Sequence, residues 1–273
     1  MQKFYQSVAV VQGEGGYAVQ LDGKPVRTPA KQPLVIASEK LAEHVAEEWR
    51  VQGERINPDA MPITRILTIA RDRVPHDRAL LIDDVVRYAG TDLLCYRAGV
   101  IASDSDSKRS EERRSQPIQP KRATSAADAA RWIASTQGSR NDASLELSAL
   151  QDLHFTPILD WAAGQGITLH VTESLTPIPQ PESSLARVRE MVAAADDTEL
   201  AALALITPLF GSAVLALALW QGAIDAETAL HAARLDETHQ SARWGEDAEA
   251  AAVWAARARD IRAGAIVLAS NRK

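Results

Sequence analysis

The chain has 273 residues, 46% of them apolar and 24% charged, the balance of a globular protein with room for one large domain or two ordinary ones. Its net charge of −6 argues against nucleic acid as a partner, because phosphate recognition needs a basic face. Cys95 is the single cysteine, which excludes an intrachain disulfide and a cysteine zinc cluster and fits a reducing compartment.

The opening Met1-Gln2-Lys3-Phe4-Tyr5 has neither the apolar core of a signal peptide nor the Arg-rich helix of a transit peptide. Residues 1–37 read as β structure. Val8 to Val11 is a short apolar run broken by Gly13-Glu14-Gly15-Gly16, and Tyr17, Val19 and Leu21 then alternate with Ala18 and Gln20, the period of a half-buried strand. Asp22-Gly23 is a two-residue hairpin signal, since both positions favour positive φ. Pro25 cannot donate to a ladder and marks an edge strand. Leu34-Val35-Ile36 reads as a further short strand.

The period turns helical at Ser38. That residue is placed to cap a helix carrying Leu41, Val45, Trp49 and Gln52 on one side. Pro62 suits the first turn of a second helix, with Ile66, Ile69, Ala70 and Arg73 at helical steps. Asp77 is placed to cap a third, and Gly90 suits the left-handed position after it. Residues 102–144 are rich in serine, alanine and mixed charge, a composition that cannot offset ordering entropy and predicts a mostly disordered insertion. Beyond it, Leu153 to Trp161 reads as helix, and Ile167-Thr168-Leu169-His170-Val171 alternates like a short strand. Pro177, Pro179 and Pro181 make an extended connector. Helices then run to the end, with Asp225 placed to cap one and Gly245 between the last two. Leu200 to Trp220 is long enough to span a bilayer. Its interior Pro208, Gly211 and Ser212, acidic flanks and lack of basic anchors favour a buried helix or pair of helices instead.

Catalytic motifs are absent. The six histidines lack HExxH spacing, and there is no GxxxxGK[ST] or GxSxG sequence. Gly13-x-Gly15-Gly16 is explained by a hairpin turn rather than a dinucleotide loop. Asp83-Asp84 and Asp196-Asp197 are adjacent on helices or caps, where neighbours point about 100° apart and do not share a proton. No cofactor and no metal site is expected. One polar cluster stands out, Leu235-Asp236-Glu237-Thr238-His239-Gln240 leading into Arg243-Trp244-Gly245-Glu246-Asp247-Ala248-Glu249. A glycine stop followed by an acidic first turn accounts for Asp247 and Glu249. Trp244 beside Glu246 at a helix junction also fits a partner-facing surface.

Several ordered motifs together resemble one family. They are Leu21-Asp22-Gly23-Lys24-Pro25-Val26-x-Thr28-Pro29, Glu48-Trp49-x-x-Gln52, Ile56-x-Pro58, Met61-Pro62-Ile63-Thr64-Arg65 and Asp72-Arg73-Val74. Thr91-Asp92-Leu93-Leu94-Cys95-Tyr96-Arg97, Pro177-Ile178-Pro179-Gln180-Pro181, Gly211-Ser212, Leu235-Asp236-Glu237 and Trp244-Gly245-Glu246-Asp247 complete the set. The chain resembles the ATP synthase assembly chaperones of the "ATP-twelve" type, over nearly everything outside the insertion.

The resemblance implies an α+β fold: a small N-terminal β-rich domain at 1–60, first helix included, then a larger helical domain at 61–273 that carries the insertion. It implies a non-enzymatic chaperone that covers an aggregation-prone face of the unassembled α subunit of the soluble catalytic head. Partner-binding roles are implied for Glu246, the glutamate of the Trp-Gly-Glu motif, and for Trp244, Asp247, Trp49 and Arg65; for Trp49 a core-packing role fits as well. The insertion is longer than the family pattern requires, and His239 stands where an aromatic is common. Without a transit peptide, a bacterial cytoplasmic member is expected. The competing readings are a small-molecule enzyme using the cleft between the domains, and a peripheral membrane protein acting through residues 200–220.

Overall fold

The computed structural model describes residues 1–98, 147–174, 176–245 and 247–270. A small antiparallel sheet opens the chain: β1 (Val8–Gly13), β2 (Gly16–Leu21) and β3 (Lys24–Pro25), in the order β1-β2-β3. Gly13 pairs with Gly16 across the first turn, and Asp22 and Gly23 at φ 48° and 77° close the second, the geometry that both-positive hairpin turns require. Pro25 lies on the outer strand, as its missing N–H demands. Leu34 to Ile36 is not a strand. Ile36 exchanges two 2.8 Å bonds with Tyr17, and Leu34 donates to Val26, so the segment only bridges to the sheet.

Helices follow: α1 (Glu39–Arg50), α2 (Pro62–Asp72) and α3 (Val74–Gly90), then α4 (Leu147–Gly164), α5 (Glu182–Ala193), α6 (Asp197–Phe210), α7 (Ala213–Trp220), α8 (Ala226–Ala233), α9 (Leu235–Trp244) and α10 (Ala248–Ser270). The Ser38 hydroxyl accepts from Leu41 N at the start of α1, and the Asp225 carboxylate from Thr228 N at the start of α8. Two expectations about α3 need correction. The helix begins at Val74, one turn before Asp77, whose carboxylate instead pairs with Arg73 at 3.2 Å. Pro75 in its first turn makes that earlier start natural. Gly90 is the last helical residue rather than a left-handed stop, and Thr91 follows at φ −138°. Residues 167–171 form no ladder. Only Thr172 bridges to Tyr96, so the alternation there reflects buried Ile167 and half-buried Leu169 between exposed neighbours. The insertion at 102–144 lies outside the described residues.

The apolar stretch around residues 200–220 is the centre of the molecule. Gly211 at φ 66° ends α6, and the Ser212 hydroxyl caps α7 through Leu215 N. Every residue of α7 from Ala213 to Leu219 is buried. Its side chains therefore face protein rather than lipid, and among the described residues no helix is long and apolar enough to cross a membrane. Around α6 pack α2, α3, α7, α8 and α10. The crossing of α6 and α10 is close because Gly264 has no side chain: a Cβ there would lie 2.3 Å from Ile206 Cγ2. The helix α1 packs on β1 and β2 and also touches α2 and α10.

Two long-range joins link three of the sequence motifs. Asp92, fully buried, accepts from Leu94 N at 3.1 Å and from Val214 N at 3.0 Å, tying the 3-10 turn Leu93–Cys95 to the start of α7. Leu93 N donates to Gly211 O in the same join. Nearby, Arg97 bonds the Leu94 carbonyl and Asp152, and stacks over Phe155 at 5.0 Å. Gln151 accepts from Ala98 N at 2.7 Å and donates to Asp236 at 2.8 Å, so the motif at 235–237 is anchored to the motif at 91–97. Burial, with a lesser push from Asp92, holds the Cys95 thiol up at about 12, far from the thiolate a nucleophile needs.

Burial also pushes the Asp92 carboxyl up to about 6, against the pull of its donors. The folded group thus keeps its proton at a pH where the unfolded carboxyl, near 3.8, has lost it. Its contribution to stability is full below that value and falls as pH rises through about 6. Asp92→Asn cannot ionise. Urea unfolding should therefore find the stability gap between the parent protein and this variant larger in the parent's favour at pH 5 than at pH 7, by about 1 kcal/mol. A gap independent of pH, or one growing toward pH 7, contradicts this.

Candidate partner-binding surface

Of the residues singled out from sequence, Arg65 joins α2 to α10, and Trp49 lies on α1 against Tyr5 of the N-terminal segment. The carboxylate of Glu48 accepts from Ile63 N at 2.7 Å, Thr64 N at 2.8 Å and Thr64 Oγ1 at 2.7 Å. It thereby caps α2, whose own N-cap Met61 offers no side-chain acceptor. Burial raises the Glu48 carboxyl, and the hydrogen bonds and Arg65 pull it back. One turn on, Gln52 donates to the Glu48 carbonyl and accepts from Asn57 N at 2.7 Å. Trp49 is half-buried, with the Tyr5 ring edge-on at 5.7 Å and the Tyr5 hydroxyl donating to its carbonyl at 2.6 Å. Its indole N–H is buried and meets no acceptor among the described residues. Arg65 reaches across to Asp260 on α10 at 2.5 Å, and Asp260 also holds Arg259.

Trp244 and Asp247 lie elsewhere, at the junction of α9 and α10. Asp260 and Asp247 are thirteen residues apart along the chain, which separates the two places by roughly 20 Å along α10. Gly245 turns the chain at φ 91°. Asp247 then accepts from Glu249 N at 2.9 Å through its side chain and from Ala251 N through its carbonyl, so it starts α10 as a cap and places negative charge at the favourable end of the helix dipole. Trp244 points into solvent at 77% exposure. Glu246, between them, lies outside the described residues.

The surface around this junction extends beyond what sequence indicated. From Arg243 to Arg257 only Ala251 and Trp254 are even partly covered among the described residues. Ala252, Val253, Ala255 and Ala256 are exposed with Trp244, and Val253 is 52% exposed. Trp254 is held by Arg234, whose guanidinium lies 5.5 Å from the ring centroid. The first half of α10 therefore presents small apolar side chains outward, while its second half, from Ala258 onward, enters the core through Ile261, Ala263, Val267 and Leu268. The alanine run hides this face in the sequence, because a run of alanines carries no clear helical stripe. Exposed aliphatic and tryptophan surface with polar residues at its rim has the make-up of a protein-docking patch.

The two places should respond differently to substitution. Arg65→Met strips a partner from a mostly buried carboxylate and should cost about 1–3 kcal/mol in urea unfolding. Trp244→Ala removes a ring that packs on little, and should change stability by no more than about 0.5 kcal/mol. Equal losses from both would mean that Trp244 is a packing residue.

Comparison with known proteins covers the same ground. The sequence pattern of the ATP12 chaperone protein family matches residues 2–163. The chain is 34% identical to Atp12 from Paracoccus denitrificans, whose crystal structure superimposes with a TM-score of 0.74 over 99% of this chain and 98% of that one. A mutant form of the same P. denitrificans protein matches at 33% identity, with the same TM-score and coverage. The Atu1473 protein of Agrobacterium tumefaciens, a putative chaperone at 34% identity, superimposes with a TM-score of 0.77 over 99% of this chain and 86% of that chain. Fold and sequence thus agree with a single family over nearly the whole chain, and the chain belongs to the ATP12 chaperone proteins.

Proposed function

We propose that this protein is an assembly chaperone for the soluble catalytic head of F-type ATP synthase, acting without catalysis by holding the unassembled α subunit. Membership of the ATP12 chaperone family carries the reading. The exposed apolar face at the α9–α10 junction supports it, because a chaperone needs accessible surface to cover that of its client. We assign this face as the docking surface, with Trp244 as its anchor and Asp247 at its polar rim, and we give Glu246, their neighbour in sequence, a partner-binding role. Arg65 acts on binding through the joint that positions α10, and Trp49 through the packing of α1 on the N-terminal segment. A client that must be handed on favours such a surface. One large anchor in a field of small side chains with a polar rim suits a releasable contact better than a large, dry permanent interface.

Co-expression tests the reading. The α subunit made alone should aggregate, and made with this protein it should remain soluble and co-purify with it. Equal aggregation in both cases refutes the chaperone function. Within that assay, Glu246→Gln and Trp244→Ala should each reduce the recovered α subunit several-fold while leaving the melting temperature of the chaperone unchanged. Full recovery with both variants would remove the α9–α10 face from the docking surface.

A further inference from the structure

The two edges of the N-terminal sheet are built differently. The β3 edge is two residues long, carries Lys24 and Pro25, and is flanked by the 33–36 segment, whose Leu34 bonds Val26. These are the ordinary devices that keep a sheet from adding strands. The β1 edge has none of them. From Ser7 to Gly13 the sequence Ser-Val-Ala-Val-Val-Gln-Gly has no charge, no proline and three β-branched valines, over a six-residue strand.

The register shows which groups this edge offers. Ser7 O accepts from Asp22 N, so that pair faces inward. Val19 turns its carbonyl to Val26 N, and Tyr17 exchanges both its bonds with Ile36, so both face away from β1. Their cross-strand partners are Val10 and Gln12. In an antiparallel ladder the members of such a pair both turn outward. Val10 and Gln12, and by alternation Val8, therefore direct N–H and C=O toward the open side, where no described residue bonds them. The strand is also accessible: Ala9, Val11 and Gln12 are exposed and Val8 and Val10 only half-covered.

We propose that the free edge of β1 takes an extended, uncharged, aliphatic-rich segment of the client polypeptide as a fourth strand. Three outward N–H and three outward C=O groups recognise extended backbone, and the uncharged, valine-rich strand selects apolar side chains beside it. The occupant is the client rather than a second copy. A strand pair about 20 Å long falls well short of the roughly 1,200 Å² that a stable dimer buries, whereas the same contact added to the α9–α10 face is a releasable second grip. The inference rests on the chaperone reading.

Residue-resolved hydrogen exchange on the full chain, alone and in purified complex with the α subunit, tests it. In the free protein the amides of Val8, Val10 and Gln12 should exchange fast and those of Ala9 and Val11 slowly. In the complex the first three should slow by about tenfold or more. A complex that forms while those three amides keep their free rates overturns the strand-addition proposal alone; failure of any complex to form overturns the chaperone reading with it. Slowing that appears with concentration in the absence of client assigns the edge to a second copy and overturns the choice of occupant. Gln12→Pro removes one outward donor and leaves the β1–β2 ladder intact. It should weaken the complex about threefold to tenfold at an unchanged melting temperature; undiminished binding by this variant also contradicts the proposal.

Discussion

A carboxylate shut away from solvent holds the start of the most buried helix. Asp92 receives the Val214 amide at 3.0 Å and the Leu94 amide at 3.1 Å, and around that point α7 is buried along seven successive residues. The first amides of an α-helix have no intrahelical acceptor, and water cannot serve them in a core. Without Asp92, the join between the turn at 93–95 and α7 would leave buried donors without acceptors, each costing about 1–3 kcal/mol. The same device recurs at α2, where Glu48 supplies from α1 the cap that Met61 lacks. Two carboxylates thus fix the order in which helices meet.

The proposed function rests on what this frame leaves uncovered. Arg65–Asp260 and the Gly264–Ile206 contact hold the second half of α10 against α2 and α6. Its first half projects with Trp244 and a patch of small apolar side chains. A rigid root beneath an exposed arm limits the ordering entropy that binding must overcome. At the other end of the chain, β1 carries backbone groups that no described residue bonds, on a sheet packed against α1. The two proposed docking surfaces differ in chemistry: one offers side chains and the other extended backbone.

Local signals are legible in the sequence where local chemistry decides the outcome. Asp22-Gly23, Ser38, Pro62, Asp225 and the break at Gly211-Ser212 each act within a few residues, and each appears where expected. Asp77 and Gly90 mislead because helix ends are set by small differences, which Pro75 and the fold around Thr91 decide here. The alternation at 167–171 suggests a strand, yet a strand needs a neighbour, and only Thr172 finds one. Glu48 as a cap fifteen residues before its target cannot be read locally at all. The family motifs give the correct membership while giving little about roles, since residues of several of them prove to be long-range joints. The exposed half of α10 is invisible in the sequence because its alanines serve a core and a surface equally well.

Whether the client sits on the face around Trp244 can be decided in living cells. A photo-crosslinking amino acid is placed at position 244 of the full chain, with position 80, where the parent Leu80 is exposed at 62% on α3, as the control. Docking at the α9–α10 junction requires a covalent product with the ATP synthase α subunit from position 244 and none from position 80. No α-subunit product at 244, or equal product at both positions, would place the client elsewhere.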